Sequence, residues 1–342
     1  MTRLAITGVG AISPAGVGVG PLVEAAAAGD RISAAAIGLS VSDSAALRKL
    51  RRSAPITLYG VSAVDEALRD AGTGGCAPGD YALIAGITNG ALNFSVDFHA
   101  ELLAREMASP ALFSESVLNA PAGNASIAFN IQGPVHTLVG GPSVAIKALM
   151  VAADLIATGR AARVAAVCAE ERNALSSFCY TRFQPLAAGA LSEGAGALLL
   201  EPEDDKRGGQ LCVLSGYASC MVPGDPQGAL RRTIDSALLM SGFLTLGDID
   251  MGITDFKTTE LIDDKVPVLS FIDVLGHAFC VSTMWNIILA AVAIGDCAAT
   301  PVFAGKLKKY AKHSEINHVI IYTAEESGAA AAVILSRAHA SS

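Results

Sequence analysis

Charged side chains are scarce in this chain, at 16% of 342 residues, and aromatic ones scarcer still, at 5%, with a single tryptophan. So little charge excludes a solvated, disordered chain, because such chains stay open through low hydrophobicity and self-repulsion. Basic excess is also missing: 24 Lys and Arg stand against 32 Asp and Glu, a net charge of −8. A nucleic-acid partner needs a basic footprint, so none is expected. The seven cysteines (76, 168, 179, 212, 220, 280 and 297) form no CxxC pair and no metal-ligand spacing. They read as reduced thiols, with no disulfide framework. No metal site and no cofactor is expected. Met1 to Ile6 enters a strand-like pattern at once and lacks the charged, apolar and cleavage regions of a signal peptide, so a cytoplasmic location is expected. Low-complexity tracts and short-period repeats are missing too.

What is abundant is apolar and small. Hydrophobic residues make up 52% of the chain, and there are 34 glycines. Small residues let helices and sheets approach closely, which suits a layered α/β protein. Ala278 to Ile294 is mostly apolar, but Ser282, Thr283 and Asn286 interrupt it. It also falls short of the roughly 20 residues that span a bilayer, so it reads as a buried helix and not a membrane span.

Strands and helices alternate along the chain. Leu4 to Ser13 reads as a buried strand, Pro21 to Ala28 as a short helix closed by Gly29, and Pro55 to Ala71 as an amphipathic helix stopped at Gly72. Tyr81 to Ile87 is another strand, and Ser109 to Asn130 is irregular and then helical. Val135 to Val139 is a strand, and Gly140-Gly141 a tight turn. Pro142 opens a helix running to Gly159, since proline suits a first helical position. Val164 to Cys168, Ala197 to Leu200 and Leu211 to Leu214 are strands. The polar stretch Glu201 to Gly209 is the best internal boundary. Beyond it come a helix at Ala229 to Ser241, strands at Met251 to Thr254 and Val266 to Phe271, the buried helix, and strands at Val319 to Thr323 and Ala330 to Leu335. Helices covering both faces of mixed sheets are the natural solution for this pattern.

Four motifs, in order and at similar spacing, resemble the β-ketoacyl synthases of the thiolase superfamily. They are Ile6-Thr-Gly-Val-Gly-Ala-Ile-Ser-Pro-Ala-Gly16, Gly133-Pro134 with a helix start eight residues on, Leu191-Ser-Glu-Gly-Ala-Gly-Ala-Leu-Leu-Leu-Glu201, and Leu275-Gly-His277 before a long helix. The resemblance covers essentially the whole chain, more strongly its first 205 residues. It implies a thiolase-like fold, with two similar α/β halves in a layered αβαβα architecture. Residues 1–205 would form the first half, and 206–342 a shortened second half of one compact unit.

The same resemblance implies chemistry that this sequence lacks. In ketosynthases a cysteine takes the acyl group and two histidines assist decarboxylation. An ungapped match from Gly133-Pro134 puts Pro142 at the cysteine position, the stretch Asp250 to Lys257 puts Asp255 at the first histidine, and the family lysine before the Gly-His pair falls on Ile272. The gating loop falls on Glu325-Glu326-Ser327-Gly328, with Glu326 among the degenerate positions; His277 alone is retained. Proline offers neither a nucleophile nor the backbone N–H that an oxyanion hole draws on at this residue, and one such donor is commonly worth about 10²–10³ in rate. A carboxylate cannot donate to an enolate unless protonated.

The pattern is most similar to the chain length factor, the nucleophile-less partner of a ketosynthase in type II polyketide and aryl polyene systems. No independent activity is then expected. The partner would be an active ketosynthase in a heterodimer, with acyl carrier protein reached through that partner. The segment before the nucleophile strand would line the tunnel and dimer contact, with Leu112, Phe113, Val117 and Leu118 as candidates; an ordinary core role for them is equally open. Two alternatives stand beside this reading. Ser143, with His277 and Asp255, could form an acyltransferase or hydrolase set. Or the chain could be a homodimeric scaffold or binding protein that kept only the fold.

Overall fold

A computed structural model describes residues 3–32, 37, 48, 50–73, 81–182, 191–203, 209–242, 245–256, 266–295 and 315–338. Cys76, Cys297 and residues 204–208 of the polar boundary lie outside them.

The long strands are β1 (Leu4–Ser13), β3 (Tyr81–Ile87), β4 (Val135–Val139), β5 (Arg163–Glu170), β6 (Gly194–Pro202), β7 (Cys212–Met221), β8 (Met251–Thr254), β9 (Val268–Ser270), β10 (His318–Ala324) and β11 (Ala329–Ser336). A two-residue β2 (Gly16–Val17) folds back on β1. The strands divide into two sets of five. In space the first runs β4-β3-β5-β6-β1 and the second β9-β8-β10-β11-β7. Numbered by chain order within each set, both read 3-2-4-5-1. Directions repeat as well. β3 is parallel to β4 and β5, and β8 is parallel to β9 and β10. The remaining neighbours in each set are antiparallel. A three-residue pairing, Leu4–Ile6 of β1 with Cys212–Leu214 of β7, joins the sets.

Helices fill three layers. Helix α1 (Val19–Ala28) ends at Gly29, whose φ of 73° provides the left-handed cap. Helix α2 (Pro55–Asp70) lies on the outer face of the first set. Next in the chain come α3 (Leu92–Arg105), α4 (Pro110–Ser116) and α5 (Ala120–Phe129), then α6 (Val144–Ala157) and α7 (Ala174–Arg182). Helix α8 (Pro226–Met240) covers the outer face of the second set. A short α9 (Ile272–Leu275) precedes α10 (Cys280–Gly295). Helices α6 and α10 form the middle layer, each packing on strands of both sets. The arrangement is therefore the expected αβαβα stack. α10 is buried along nearly its whole length, and its Trp285 indole N–H donates to the Ala195 carbonyl at 3.0 Å. Among the described residues no helix is long and apolar enough to cross a membrane.

The glycines of the opening motif have a packing cause. A Cβ on Gly8 would sit 2.2 Å from the Ala67 carbonyl oxygen of α2, and one on Gly10 2.1 Å from that of Ala63. Carboxylates of the same helix meet spare backbone amides: Glu66 accepts from Ala11 of β1 and Val19 of α1 (2.8 and 3.0 Å), and Asp70 from Val9 of β1 (3.0 Å). The second half repeats the contact, with Gly216 of β7 against the Ala237 carbonyl of α8.

Three expectations need correction. The helix after the Gly140-Gly141 turn begins at Val144, with Ser143 as its cap residue, and not at Pro142. Residues 109–130 hold two helices, α4 and α5, in place of an irregular stretch followed by one. Helix α3 was not foreseen; it buries none of its residues, so it has no inward apolar stripe to read.

Candidate functional site

The site lies where β4 turns into α6. β4 is an edge strand, parallel to β3. The Gly140 N–H donates to the Ile87 carbonyl at 3.0 Å, so the turn is tied to the end of β3. Pro142 follows, half-buried. Of the four nitrogens from Pro142 to Ala145, none is left for a ligand. Proline has no hydrogen; Val144 donates to the Gly141 carbonyl (3.0 Å) and Ala145 to that of Pro142 (3.4 Å). Ser143 donates its N–H to Glu325 Oε1 at 3.3 Å and its hydroxyl to the same oxygen at 2.7 Å.

Asp255 follows β8 and is 5% exposed. Its Oδ2 accepts the hydroxyls of Thr323 (2.9 Å) and Thr283 (3.1 Å). Its Oδ1 has no hydrogen-bond partner among the described residues. Burial pushes this carboxyl up to about 6, and the charge of Glu325 adds in the same direction.

His277 is buried, and its carbonyl accepts from the Ser192 N–H at 2.9 Å. Burial pulls its imidazole down to about 4, so the ring is neutral near pH 7. Its Nδ1 accepts from the Phe279 N–H at 3.4 Å, which leaves the proton on Nε2. Phe279 stands edge-on to that ring at 5.0 Å and packs on Tyr180 at 4.6 Å. Its φ of 51° is in the left-handed region, costly for an aromatic residue.

Below this lies a second buried carboxylate, Glu170, at the end of β5. It accepts from the backbone of Thr88, from the Asn89 N–H (3.2 Å) and from the Asn89 side-chain amide (3.4 Å). Tyr180 donates its hydroxyl to Asn89 Oδ1 at 3.2 Å. Burial pushes Glu170 up to about 7. The Cys280 thiol points at the Gly86 carbonyl (3.6 Å) and Glu170 Oε1 (3.9 Å), and burial raises it well above the ordinary thiol range. Burial likewise raises Cys212. A thiol held protonated and out of solvent is a packing group, not a nucleophile.

The expected residues thus converge only in part. Pro142 and Ser143 form the elbow, but Ser143, His277 and Asp255 do not assemble into a relay. Ser143 bonds Glu325, Asp255 bonds two threonines, and the His277 ring accepts from the Phe279 backbone N–H. Glu326 is exposed, and it is Glu325 that reaches the elbow. Ile272 opens α9, half-buried. Phe113 and Leu118 are 55% and 44% exposed, and Leu112 and Val117 half-buried, so none of the four is a core residue of the chain. Sequence reasoning singled out neither Glu325, Glu170 nor Tyr180. The one signal for Glu170 is a pair of carboxylates closing an apolar strand, Val-Ala-Ala-Val-Cys-Ala-Glu-Glu. Among the described residues no group of three or more His, Cys, Asp or Glu could hold a metal ion.

Comparison with known proteins agrees with this architecture. Residues 81–209 match the family described as beta-ketoacyl synthase, N-terminal domain. No curated protein matches the chain. Among solved structures, the ishigamide ketosynthase/chain length factor is similar over 98% of this chain and 100% of that one, at 21% identity and a TM-score of 0.81. A ketosynthase solved with its type II PKS acyl-carrier protein and bound to the hexaketide is similar over 99% and 100%, at 18% identity and 0.77. A beta-ketoacyl synthase from Burkholderia phymatum gives 99% and 100%, at 17% identity and 0.78. The fold is the thiolase-like α/β fold of the ketosynthases.

Proposed function

We propose that this chain is a non-catalytic, chain-length-factor-like subunit. It pairs with an active ketosynthase and walls the tunnel that holds the growing acyl chain in polyketide, aryl polyene or fatty-acid-type synthesis. The observation that carries the reading is the elbow. The strand, the turn and the helix are all in place, yet Pro142 has neither thiol nor N–H, and Ser143, the next donor, is already bound to Glu325. A site kept in shape without an attacking group serves structure better than chemistry. Carbon–carbon bond formation then belongs to the partner, as does contact with acyl carrier protein.

The surface beside the elbow supports pairing. β4 lies at the sheet's edge, and its Val135 and Val139 are 38% and 52% exposed on one face. Phe113, Leu118 and Ile127 are exposed as well. An open strand edge flanked by apolar side chains is a liability in a lone protein and an asset in an obligate pair. The name ketosynthase/chain length factor, borne by a structure similar end to end, adds to this reading.

Co-expression with a ketosynthase encoded beside it tests the proposal. A stable one-to-one complex by native mass measurement is expected, with product formed by the pair and none by this chain alone. A chain that stays alone or self-associates in the presence of that ketosynthase, or condenses acyl and malonyl thioesters unaided, sinks the reading.

A further inference from the structure

Glu325 occupies the β10–β11 turn, and its backbone is fixed there. Its N–H donates to the Ala329 carbonyl and its carbonyl accepts from Gly328, both at 2.8 Å. Gly328, with φ of 89°, is wedged against residues 222 and 223, and its carbonyl accepts the Val222 N–H at 2.9 Å. From this fixed base the side chain extends onto the elbow. A Cβ built on Gly141 would lie 2.7 Å from the Glu325 carboxyl carbon and 2.7 and 2.9 Å from its oxygens. The carboxylate therefore lies flat on the Gly141 backbone while accepting both donors of Ser143.

We propose that Glu325 is an internal occupant of the degenerate pocket, seated at the start of α6 where an acyl or malonyl group would have to lie. The pocket is closed to acyl groups by the chain itself and stays closed when a nucleophile is restored. This goes beyond the loss of a cysteine, because a missing thiol leaves an empty pocket, whereas a seated carboxylate fills one. It rests on the proposed function only in treating the elbow as a former acyl site. Asp255, also buried and acidic, makes the pocket doubly unfavourable for an anionic extender such as a malonyl group.

The test restores a thiol and asks whether it can be reached. In Pro142→Cys, alkylation of the new thiol by iodoacetamide, followed by peptide mass so that native cysteines do not interfere, is expected to be slow. In Pro142→Cys with Glu325→Ala it should be faster by about tenfold or more, the loss of a charge-assisted hydrogen bond. In Pro142→Cys with Glu325→Gln, which fills the same space uncharged, it should stay slow. Equal rates in all three, or a Gln variant as fast as the Ala variant, overturn the proposal. A measurement in the native elbow guards against misfolding of the cysteine variants. Hydrogen exchange at the Ser143 amide should rise about tenfold or more in Glu325→Ala alone, and an unchanged rate also overturns it. Pairing with a ketosynthase is a separate readout, so failure here and failure of the proposed function are distinguishable.

Discussion

The Thr323 hydroxyl donates to Asp255 Oδ2 at 2.9 Å, and that bond links the ends of two parallel neighbours, β8 and β10. Thr283 of α10 donates to the same oxygen, so three elements meet on one carboxylate. Among the described residues nothing donates to the other oxygen, which is buried. Two neutral hydroxyls on one side do not replace the water that a carboxylate loses on burial.

Asp255 should therefore make stability depend on pH. Its folded value is pushed up to about 6 from an ordinary 3.8. Between those values the folded chain binds a proton that the unfolded chain releases, so this group's contribution falls as pH rises through the window. Above about pH 6 the cost is fully present, on the order of 3 kcal/mol. Asp255→Asn keeps an acceptor for both threonines and removes the charge. It should raise thermal stability at pH 8 by a few degrees and leave it unchanged near pH 4. Glu170, pushed up to about 7, acts with the same sign. His277, pulled down to about 4, acts with the opposite sign, since the unfolded chain takes up its proton first as pH falls below 6.5. Melting curves at both pH values decide the matter, and equal destabilisation of the Asn variant at each would show that the charge is not the burden.

Arg163 and Glu201 make a buried pair of a different kind. Arg163 Nε meets Glu201 Oε1 at 2.9 Å, and its Nη1 donates to the Tyr81 hydroxyl at 3.1 Å. The guanidinium also lies over the Tyr81 ring, 5.4 Å from its centre. The three residues belong to adjacent strands β3, β5 and β6. Arg163→Met should cost roughly 3–5 kcal/mol, because it removes the cation that a buried carboxylate meets at 2.9 Å. Adding Glu201→Leu should recover most of that loss, since a matched apolar replacement is often neutral. Urea titrations of the two single variants and the double variant measure the coupling. A double variant as unstable as the worse single one would mean that the pair's worth lies in its own contacts.

Much of the fold was legible because its strands are buried on both faces. Leu4 to Ser13, Tyr81 to Ile87 and Met251 to Thr254 coincide with the observed strands at both ends. Continuous apolar runs between Gly, Pro and Asp leave little choice. Helix α3 was not legible, since Leu102 and Leu103 are 41% and 87% exposed and mark no inward face. In the site, the strand–turn–helix around Pro142 was legible in the sequence, and its match to a nucleophile position came from the family resemblance. Which glutamate matters was not: the β10–β11 register, closing at Ala324 opposite Ala330, turns Glu325 toward the elbow and Glu326 to solvent. Nor was the partner of Ser143 legible, since Glu325 lies 182 residues further along the chain. Ser143 is the cap residue of α6, and its hydroxyl meets Glu325 of the β10–β11 hairpin.

Phe113 carries the sharpest test of tunnel and interface together. It is 55% exposed on this chain, with its ring 5.6 Å from that of Phe98 on α3. An exposed ring contributes little to the fold, so Phe113→Ala should change the stability of the isolated chain by no more than about 0.5–1 kcal/mol. The variant therefore separates folding from assembly, which a core substitution could not. If the side chain ends the channel in the assembled pair, its removal should lengthen the dominant product, because chain length follows from where a dry channel stops. Should Phe113 belong to the contact instead, the pair would weaken while product length held. Mass spectrometry of the products, with native mass measurement of the complex, reads both results. Unchanged length together with unchanged pairing would remove Phe113 from either role.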